Sequence, residues 1–202
     1  MVPMNRQRDI GAFDQRAPAY EDGWLGRMHH EIADRTADLA LRAARSPGRI
    51  LDVGCGTGYL LRQLAARAGG AVELAGIDPA PAMIAAARSG IQDDRLRFTV
   101  GVAEHLPFPD AGFDLVVTTT SFDHWGDQRA GLAECARVTA PHGQLVLVDQ
   151  FSAWLLPTLL GARREKARTK GRATRFLEAA GFRDPEWHNL YAVIIRAVTA
   201  TR

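Results

Sequence analysis

The chain has 202 residues, of which 47% are hydrophobic and 24% charged, and its formal net charge is +2. This composition fits one globular domain of ordinary size, and so small a charge does not favour a nucleic-acid-binding or membrane-binding protein. Only Cys55 and Cys135 are present, which excludes a disulfide framework and a Cys-x-x-Cys metal site. Because no apolar run reaches transmembrane length and the first residues lack a signal-peptide core, we expect a cytoplasmic protein without metal.

The first half of the chain alternates helical and strand patterns after a polar start. We expect residues 1–20 to form a flexible arm and residues 24–44 to form an amphipathic helix. A strand at residues 50–53 runs into a glycine-rich loop, and apolar residues at helical spacing predict a helix that begins near residue 57 or 58. The next strand, helix and strand are predicted at residues 71–77, 82–88 and 96–100.

The second half continues this alternation and then changes. The continuous apolar run at residues 113–118 predicts a strand buried on both faces, followed by a helix at 126–139 and a strand at 144–149. Strands that alternate with helices form a parallel sheet with right-handed crossovers. The last helix and two strands are predicted at residues 174–180, 185–189 and 190–200, with Gly181 ending the helix. The connection between these two strands is so short that they must pair antiparallel.

The loop after the first strand carries the most specific functional pattern. Residues 50–59 read ILDVGCGTGY, and Gly54, Gly56 and Gly58 permit backbone torsions and close ligand approach that a Cβ atom would obstruct. A glycine loop at a helix N-terminus is expected to offer free backbone N–H groups to an anion. Asp52 adds a carboxylate at the end of the strand. We therefore expect a ligand with a negative and a positive group, such as an amino-acid headgroup.

One position argues against a dinucleotide site. The fingerprint G-x-G-x-x-G requires glycine where Tyr59 stands. The LDVGCGTG stretch at residues 51–58 instead resembles motif I of the class I S-adenosylmethionine-dependent methyltransferases. This resemblance implies S-adenosyl-L-methionine as cofactor and S-adenosyl-L-homocysteine as product. It also implies an α/β fold, a single Rossmann-like doubly wound sheet of seven strands in the order 3-2-1-4-5-7-6, mostly parallel with one antiparallel strand and with helices on both faces.

The resemblance also suggests how the chain is divided. Residues 1–202 are expected to form a single methyltransferase domain. Its parts are an N-terminal arm and helix at 1–45, a cofactor-binding core at 46–150, and a lid-like segment with the terminal hairpin at 151–202. Substrate recognition in this family lies in variable lids, so the methyl acceptor stays open.

Several loops are expected to contact the cofactor. Asp78 ends the second strand, where a carboxylate can accept the ribose hydroxyl protons; the alternative is a helix cap before Pro79. Residues 101–108 resemble the family's adenine loop G-D-A-E-x-L-P-F with Val102 in place of the aspartate, so the contact falls to Ala103, to Glu104 or to no side chain. With the FDQRAPAY segment at 13–20, the resemblance implies these cofactor-binding residues: Tyr20, Asp52, Gly54, Cys55, Gly56, Gly58, Asp78, Pro79, Val102, Ala103, Glu104 and Thr119.

The segment after the fourth strand is expected to line the space between the methyl group and the acceptor. Residues 122–127 resemble the family's x-H-H-W-x-D pattern, with Asp123 in place of the first histidine. His124 is the candidate general base because imidazole titrates near neutral pH, and Asp123 is a second candidate catalytic group. The alternative for His124 is a backbone hydrogen bond and packing beside Trp125. The chain has no D/N-P-P-Y/F motif, which argues against methylation of DNA bases.

Three further features have more than one interpretation. His29 and His30 point about 100° apart on a helix, so they cannot form a metal pair and are expected at the surface, where one of them can reach the pocket mouth. The apolar stretch at 153–160 is a lid, a dimer contact or core. The basic run at 163–172 is a solvated face, or a clamp for an acidic substrate or RNA.

The function expected from these observations is methyl transfer to a small-molecule acceptor, with neither nucleic acid nor membrane as partner. Two alternatives stay open. One is an RNA or protein methyltransferase that uses the basic run at 163–172. The other is a non-catalytic cofactor-binding module, for which Val102 is the sequence support. The oligomeric state is not predicted.

Overall fold

In the computed structural model of the chain, the described residues are 4–69, 72–89, 91, 93–151, 166–192 and 194–202, and for 4–9 only the backbone is described. The helices are α1 Met4–Arg16, α2 Gly23–Ala43, α3 Tyr59–Arg67, α4 Pro81–Arg88, α5 Gln128–Val138 and α6 Lys170–Ala180. The strands are β1 Arg49–Val53, β2 Glu73–Asp78, β3 Leu96–Val100, β4 Phe113–Thr119, β5 Thr139–Gln150, β6 Arg183–Tyr191 and β7 Ile195–Thr201. Short 3-10 turns follow α1 at Ala17–Ala19 and β4 at Phe122–His124.

The strands form one sheet in the order β3-β2-β1-β4-β5-β7-β6. Strands β1 to β5 pair in parallel, and β7 pairs antiparallel with both β5 and β6. The predicted sheet, with its order and its one reversed strand, is confirmed. The chain leaves β1 toward β2 on one side and later returns to β4 on the other. This switch point is where open α/β sheets bind ligands, beyond the carboxyl ends of the strands.

Helices cover both faces of the sheet because successive residues of β1 point to opposite sides. Ile50 packs into a core that includes Ile32 of α2 and Leu61 of α3. Leu51, the next residue, packs into a second core with Leu132 of α5 and with residues of α6. Both β1 residues are completely buried. The two cores hold β1 rigidly, and with it the loop that follows.

The predicted flexible arm at the N-terminus is wrong, because α1 occupies most of it. Ile10 and Phe13 of α1 pack against Met83 of α4. Asp14 Oδ1 accepts the N–H of Ala82 in the first turn of α4 at 2.9 Å. That N–H group has no partner within its own helix, so the carboxylate satisfies a helix terminus. Helix α1 is thereby fixed above the ends of the strands.

Several element boundaries differ from the predicted ones for local reasons. Helix α5 begins at Gln128 rather than at 126, because Asp127 caps it by accepting two N–H groups of the first turn at 2.9 and 3.1 Å. Strand β5 begins at Thr139 rather than at 144. Residues 141–143 lie within that strand, where His142 has a φ of +64°.

The C-terminal elements also shift. Helix α6 begins at Lys170 rather than at 174, and Gly181 ends it as predicted, with a φ of +96°. Leu190 and Tyr191 belong to β6 rather than to β7, because Tyr191 pairs with Ile195 across the hairpin. Within the described part of the chain, no helix is long and apolar enough to cross a membrane.

Candidate functional site

The C-terminal ends of β1, β2 and β4 open onto a cleft of about 730 Å³. Val53, Asp78 and Thr119 line it from the three strand ends. Helix α1 contributes Ile10 and Phe13 to its wall. The cleft lies at the switch point of the sheet, so the fold itself places the candidate site.

Two glycines of the loop after β1 sit where no other residue fits. Gly54 has a φ of +82°, and a Cβ atom there would lie 2.3 Å from Oγ of Ser121. Ser121 is held in place, since its hydroxyl donates to the carbonyl of Val53 at 2.9 Å. Gly58 also has a φ of +82°, and its Cβ would lie 2.6 Å from the ring of Phe98. The missing side chain at Gly54 lets the loops after β1 and β4 approach closely. The missing side chain at Gly58 lets Phe98 pack against the start of α3.

Three backbone N–H groups at the start of this loop are used within the protein. Gly54 and Cys55 both donate to the carbonyl of Ile77, at 2.7 and 3.1 Å. Gly56 donates to Oδ2 of Asp78 at 2.9 Å. The expectation of free N–H groups at these three positions is therefore wrong, because the loop folds back onto the end of β2.

Asp78 acts as a cap and also lines the cleft. Its Oδ1 accepts the N–H of Ala80 and its Oδ2 that of Gly56, both at 2.9 Å. Each carboxylate oxygen has a further lone pair, so the side chain can still accept from a ligand. Burial raises the pKa of Asp78, although the two N–H bonds oppose the shift. Burial and the neighbouring Asp78 raise the pKa of Tyr20 to about 12, so this phenol stays protonated.

A second cavity of about 510 Å³ adjoins the cleft. Tyr20, Gly54, Gly56 and Thr119 line both spaces. Among the described residues, four buried side-chain polar atoms have no hydrogen-bond partner, and all four residues line this second cavity: His29 (Nδ1), His30 (Nε2), Asp52 (Oδ1) and Thr119 (Oγ1). Leaving a buried polar atom without a partner costs about 1–3 kcal/mol, which a polar ligand would offset.

Asp52 is the most strongly perturbed carboxyl group that lines this second cavity. Burial, with a smaller contribution from the charge of Asp78, raises the pKa of Asp52 to about 8. A positively charged ligand group next to Asp52 would favour its ionised form. The sequence analysis expected Asp52 to contribute a carboxylate for an amino-acid headgroup. In the structure this side chain is buried, and one of its oxygens has no partner.

His29 and His30 are half-buried and both line the same cavity, whereas the sequence analysis expected surface residues of which one can reach the pocket mouth. The ring of His29 lies 5.2 Å from that of Tyr20 between centroids. His30 stacks on Tyr59 with centroids 3.8 Å apart and planes 8° apart. His30 Nε2 is 3.3 Å from Glu21 Oε2 but without hydrogen-bond geometry. Aromatic packing orients both imidazoles.

After β4, the two candidate catalytic groups have different surroundings. Both carboxylate oxygens of Asp123 accept from the guanidinium of Arg168, at 2.7 and 2.6 Å. The N–H of Asp123 donates to the buried carboxylate of Asp149 at 3.0 Å. Asp123 is not among the described residues that line either cavity. His124 does line the cleft, and its ring meets that of Phe13 nearly edge to face at 5.1 Å.

The loop at 101–108 was predicted to face adenine, with three candidate cofactor-binding residues. Among the described residues, one of these three lines the cleft. Ala103 lines the cleft. Val102 instead forms a β-bridge with His105. Glu104 accepts the N–H of Asp127 at 2.9 Å, so it connects this loop to the start of α5.

The two cavities bring together most of the residues singled out from sequence: Tyr20, Asp52, Gly54, Cys55, Gly56, Asp78, Pro79, Ala103, Thr119 and His124. Four others do not line them: Gly58, Val102, Glu104 and Asp123. Sequence reasoning missed Ile10 and Met83 as lining residues, whereas Thr120, Ser121 and Trp125 belong to the segment after β4 that was expected to line the site. The helical spacing of Ile10, Phe13 and Ala17 was the available indication that α1 exists and covers the site.

The described part of the basic run is bound to the loop after β4. Lys166 Nζ donates to the carbonyl of Asp123 at 2.6 Å and also to the carbonyl of Trp125. Arg168 holds the carboxylate of Asp123. Residues 163–165 and the apolar stretch at 153–160 lie outside the described residues. Lys166 and Arg168 thus brace one wall of the site, whereas Lys170 and Arg172 lie over the rings of Trp187 and Phe176.

An adenosyl amino acid fits the groups that the two cavities present. The carboxylate of Asp78 suits a ribose diol, and the apolar walls of the cleft suit a base. Unpartnered Asp52 suits an ammonium group, and it lies in the adjoining cavity. The fit rests on unpartnered buried atoms of this chain, so it is independent of the motif resemblance.

Comparisons with known proteins identify the family. A family model described as a methyltransferase domain matches residues 51–147. The chain is 42% identical over 144 residues to a demethylmenaquinone methyltransferase of Thermus thermophilus and 43% identical over 157 residues to one of Deinococcus radiodurans. These alignments cover 68% and 73% of this chain but 63% and 64% of the relatives. The chain therefore spans less than two thirds of the length of these relatives.

Solved structures share the fold at lower identity. A SAM-dependent methyltransferase of Aquifex aeolicus has a TM-score of 0.67 at 20% identity, with 96% of this chain and 97% of that chain covered. The [4+2]-cyclase SpnF has a TM-score of 0.76 at 21% identity, with 100% and 97% covered. Likeness at this level shows the fold alone. Because the sheet order, the glycine loop and the matched family model agree, we conclude that the chain belongs to the class I S-adenosylmethionine-dependent methyltransferases, whose methyl donor is S-adenosyl-L-methionine.

Proposed function

We propose that this chain transfers a methyl group from S-adenosylmethionine to a small-molecule acceptor. One observation carries the proposal: the described buried polar atoms without partners all belong to residues around a single cavity, next to a cleft that contains Asp78. A purely structural domain would have no reason to keep these groups unsatisfied together, since each costs free energy. They are what a polar, charged ligand requires.

The chain's own residues divide the work of holding the cofactor. Asp78 would accept from the ribose hydroxyls while it keeps its two backbone N–H bonds. Asp52 would bind the ammonium group. Ile10 and Phe13 of α1 cover the cleft and exclude water from it. When bound, S-adenosylmethionine supplies a methyl group that its sulfonium already activates, so alignment and water exclusion are the protein's main contributions.

His124 is the group we propose to act on the acceptor. It lies on the 3-10 turn after β4 and lines the cleft. An acceptor that arrives with a hydroxyl proton needs a base, and imidazole titrates in the right range. Asp123, which we predicted as a second catalytic group, is instead proposed to position this turn, because Arg168 engages both of its oxygens.

For the acceptor we propose a hydroquinone-type ring. The relatives at 42% and 43% identity are named demethylmenaquinone methyltransferases. The apolar walls that Phe13 and Trp125 add to the cleft near His124 are compatible with an aromatic ring. A ring hydroxyl would present the proton that His124 is proposed to remove.

The experiment has two stages. Calorimetry should show binding of S-adenosylhomocysteine and none of NAD, since Tyr59 breaks the dinucleotide fingerprint. Incubation with S-adenosylmethionine carrying an isotopically labelled methyl group and a reduced 1,4-naphthoquinone should then label the quinol. Tight NAD binding would contradict the cofactor assignment. Cofactor binding without methylation of any small acceptor would favour a non-catalytic module.

A further inference from the structure

The turn that carries His124 is held by groups from outside it. His124 is the last residue of the 3-10 turn Phe122–His124, and its N–H donates to the carbonyl of Ser121 at 2.9 Å. The N–H of Asp123 donates to the carboxylate of Asp149 at 3.0 Å. Asp149 is buried at the end of β5, which pairs with β4 in the sheet. The backbone just before His124 is therefore anchored to the sheet.

Lys166 holds the carbonyl groups of both neighbours of His124. Its Nζ donates to the carbonyl of Asp123 at 2.6 Å and also to the carbonyl of Trp125. A turn of three residues leaves most of its carbonyls without helical partners, so they need donors from elsewhere. An ammonium group has three donors, so one lysine can satisfy both carbonyls. Lys166 thus fixes the backbone before and after the imidazole.

The two residues after Lys166 hold the same turn. The N–H of Ala167 donates to Oε1 of Gln128 at 2.6 Å, and Nε2 of Gln128 donates to the carbonyl of Phe122 at 2.9 Å. Arg168 adds its two bonds to the carboxylate on this turn. Lys166 itself is not among the described residues that line the cleft or the second cavity. Its contacts therefore reach the site through the backbone of the turn.

A general base depends on this kind of support. It must lie within about 2.6–3.2 Å of the proton that it removes, and a displacement of about 1 Å can lower the rate by about 10²-fold. The ring of Phe13 meets that of His124 at 5.1 Å between centroids and limits the ring from one side. That contact does not fix the backbone from which the imidazole extends. The bonds from Lys166 do.

We propose that Lys166 is a positioning residue for His124, whose place in the cleft its ammonium group sets by binding the carbonyls of Asp123 and Trp125. The inference rests on the proposed function, because it requires His124 to act on the acceptor. Lys166 contacts neither cofactor nor acceptor in this arrangement. It should therefore matter for turnover only while His124 is present.

The test is a double-mutant cycle in the full chain. Lys166→Met removes the ammonium group but keeps an unbranched side chain, and it is made alone and together with His124→Asn. Turnover is measured with methyl-labelled S-adenosylmethionine and a reduced 1,4-naphthoquinone, both at saturating concentration. Lys166→Met alone should lower kcat by about 10-fold to 100-fold. In the His124→Asn background it should lower kcat by less than about 2-fold, because the group that Lys166 positions is gone.

Binding and a matched lysine supply the controls. Calorimetry with S-adenosylhomocysteine should show an affinity within about 3-fold of the unaltered chain for Lys166→Met, which also shows that the variant is folded. Lys166 and Lys170 are the two lysines of the chain, and Nζ of Lys170 lies 5.4 Å from the ring centroid of Trp187. Lys170→Met should therefore change kcat by less than about 2-fold in both backgrounds.

The outcomes separate this inference from the proposed function. An equal loss of kcat with and without His124, or no loss at all, would overturn the positioning role while the effect of His124→Asn stands. A Lys166→Met chain that no longer binds S-adenosylhomocysteine would show that the ammonium group holds the fold itself, which also overturns it. If the unaltered chain does not methylate the quinol, or His124→Asn keeps full turnover, the proposed function fails at that step and the inference falls with it.

Discussion

The cleft and the cavity beside it share a glycine loop but are built in different ways. In the cleft, the carboxylate of Asp78 already accepts two backbone N–H groups, and much of the remaining wall is apolar. In the cavity, unpartnered polar atoms of Asp52, His29 and His30 are buried together. In the first space, the unpartnered buried atom among the described residues is Oγ1 of Thr119, which lines both spaces. The second carries a free-energy cost that a charged ligand would relieve.

This difference indicates which half of the site determines what binds. A mostly apolar cleft accepts a nucleoside by shape and by a few hydrogen bonds. A cavity of unpartnered titratable groups discriminates strongly, because a ligand that lacks the matching groups leaves them unpaired. We therefore expect some substitutions in the cleft to change turnover without changing cofactor binding, and others to change cofactor binding. Substitutions in the cavity should change the preference between charged ligands.

The largest expected effect separates chemistry from binding within the cleft. If His124 removes a proton from the acceptor, His124→Asn should lower turnover by about 10²–10⁴-fold. Affinity for S-adenosylhomocysteine should change little, because we propose that the ring contacts the acceptor and not the cofactor. Turnover of the unaltered protein should also fall at acid pH, where an imidazole base is protonated, and the variant should lose this limb. Melting temperature is measured on the same samples. A variant that is less stable yet fully active per folded molecule would show that His124 only packs.

The next effect compares a cleft carboxylate with an aliphatic neighbour. Asp78→Ala should weaken S-adenosylhomocysteine binding by about 1.5–3 kcal/mol for each charge-assisted bond that is lost. Val102→Ala should have a much smaller effect, because Val102 forms a β-bridge with His105 and does not line the described cleft. Calorimetry on folded fractions measures both. Equal losses would mean that the ribose is held elsewhere.

A smaller effect concerns the loop that the two spaces share. Gly54→Ala combines a left-handed φ with a Cβ placed 2.3 Å from Ser121, so it should destabilise the fold by about 2 kcal/mol or more. Gly56→Ala also has a positive φ but meets nothing within 4 Å, so about 1–2 kcal/mol is expected. Urea unfolding gives both values. Similar losses at the two positions would show that the contact with Ser121 relaxes without cost.

Sequence patterns predicted the cleft better than the cavity for a physical reason. Motif I and the strand ends are local features, because the glycines and Asp78 directly follow strands that the βα alternation predicts. The alternation predicted a parallel sheet, and the resemblance to the family supplied the order of its strands. The N-terminal arm was wrong because its polar composition outweighed the helical spacing of Ile10 and Phe13, which become apolar contacts only against Met83 of α4.

His29 and His30 could not be placed from sequence because their burial depends on tertiary contacts. On an isolated helix they look like surface residues. In the fold, Tyr20 comes from the turn after α1 and Tyr59 from the first residue of α3, and these rings enclose the two imidazoles. The surroundings of Asp123 could not be predicted from sequence either, because its partner Arg168 lies 45 positions away. Such contacts are specified by packing and not by any local pattern.

The last and smallest effect is the number of protons released when a ligand binds. This number tests the second cavity alone. With a pKa of about 8, Asp52 is mostly protonated at pH 7. A ligand ammonium next to it would lower that pKa, so binding should release up to about one proton. The ligand is S-adenosyl-3-thiopropylamine, which is S-adenosylhomocysteine without its carboxylate, so the ammonium is the one charged group that the ligand brings to the cavity. Calorimetry in buffers of different ionisation enthalpy measures the count, and Asp52→Asn, neutral at every pH, should abolish it. Unchanged release in that variant would place the ammonium away from Asp52.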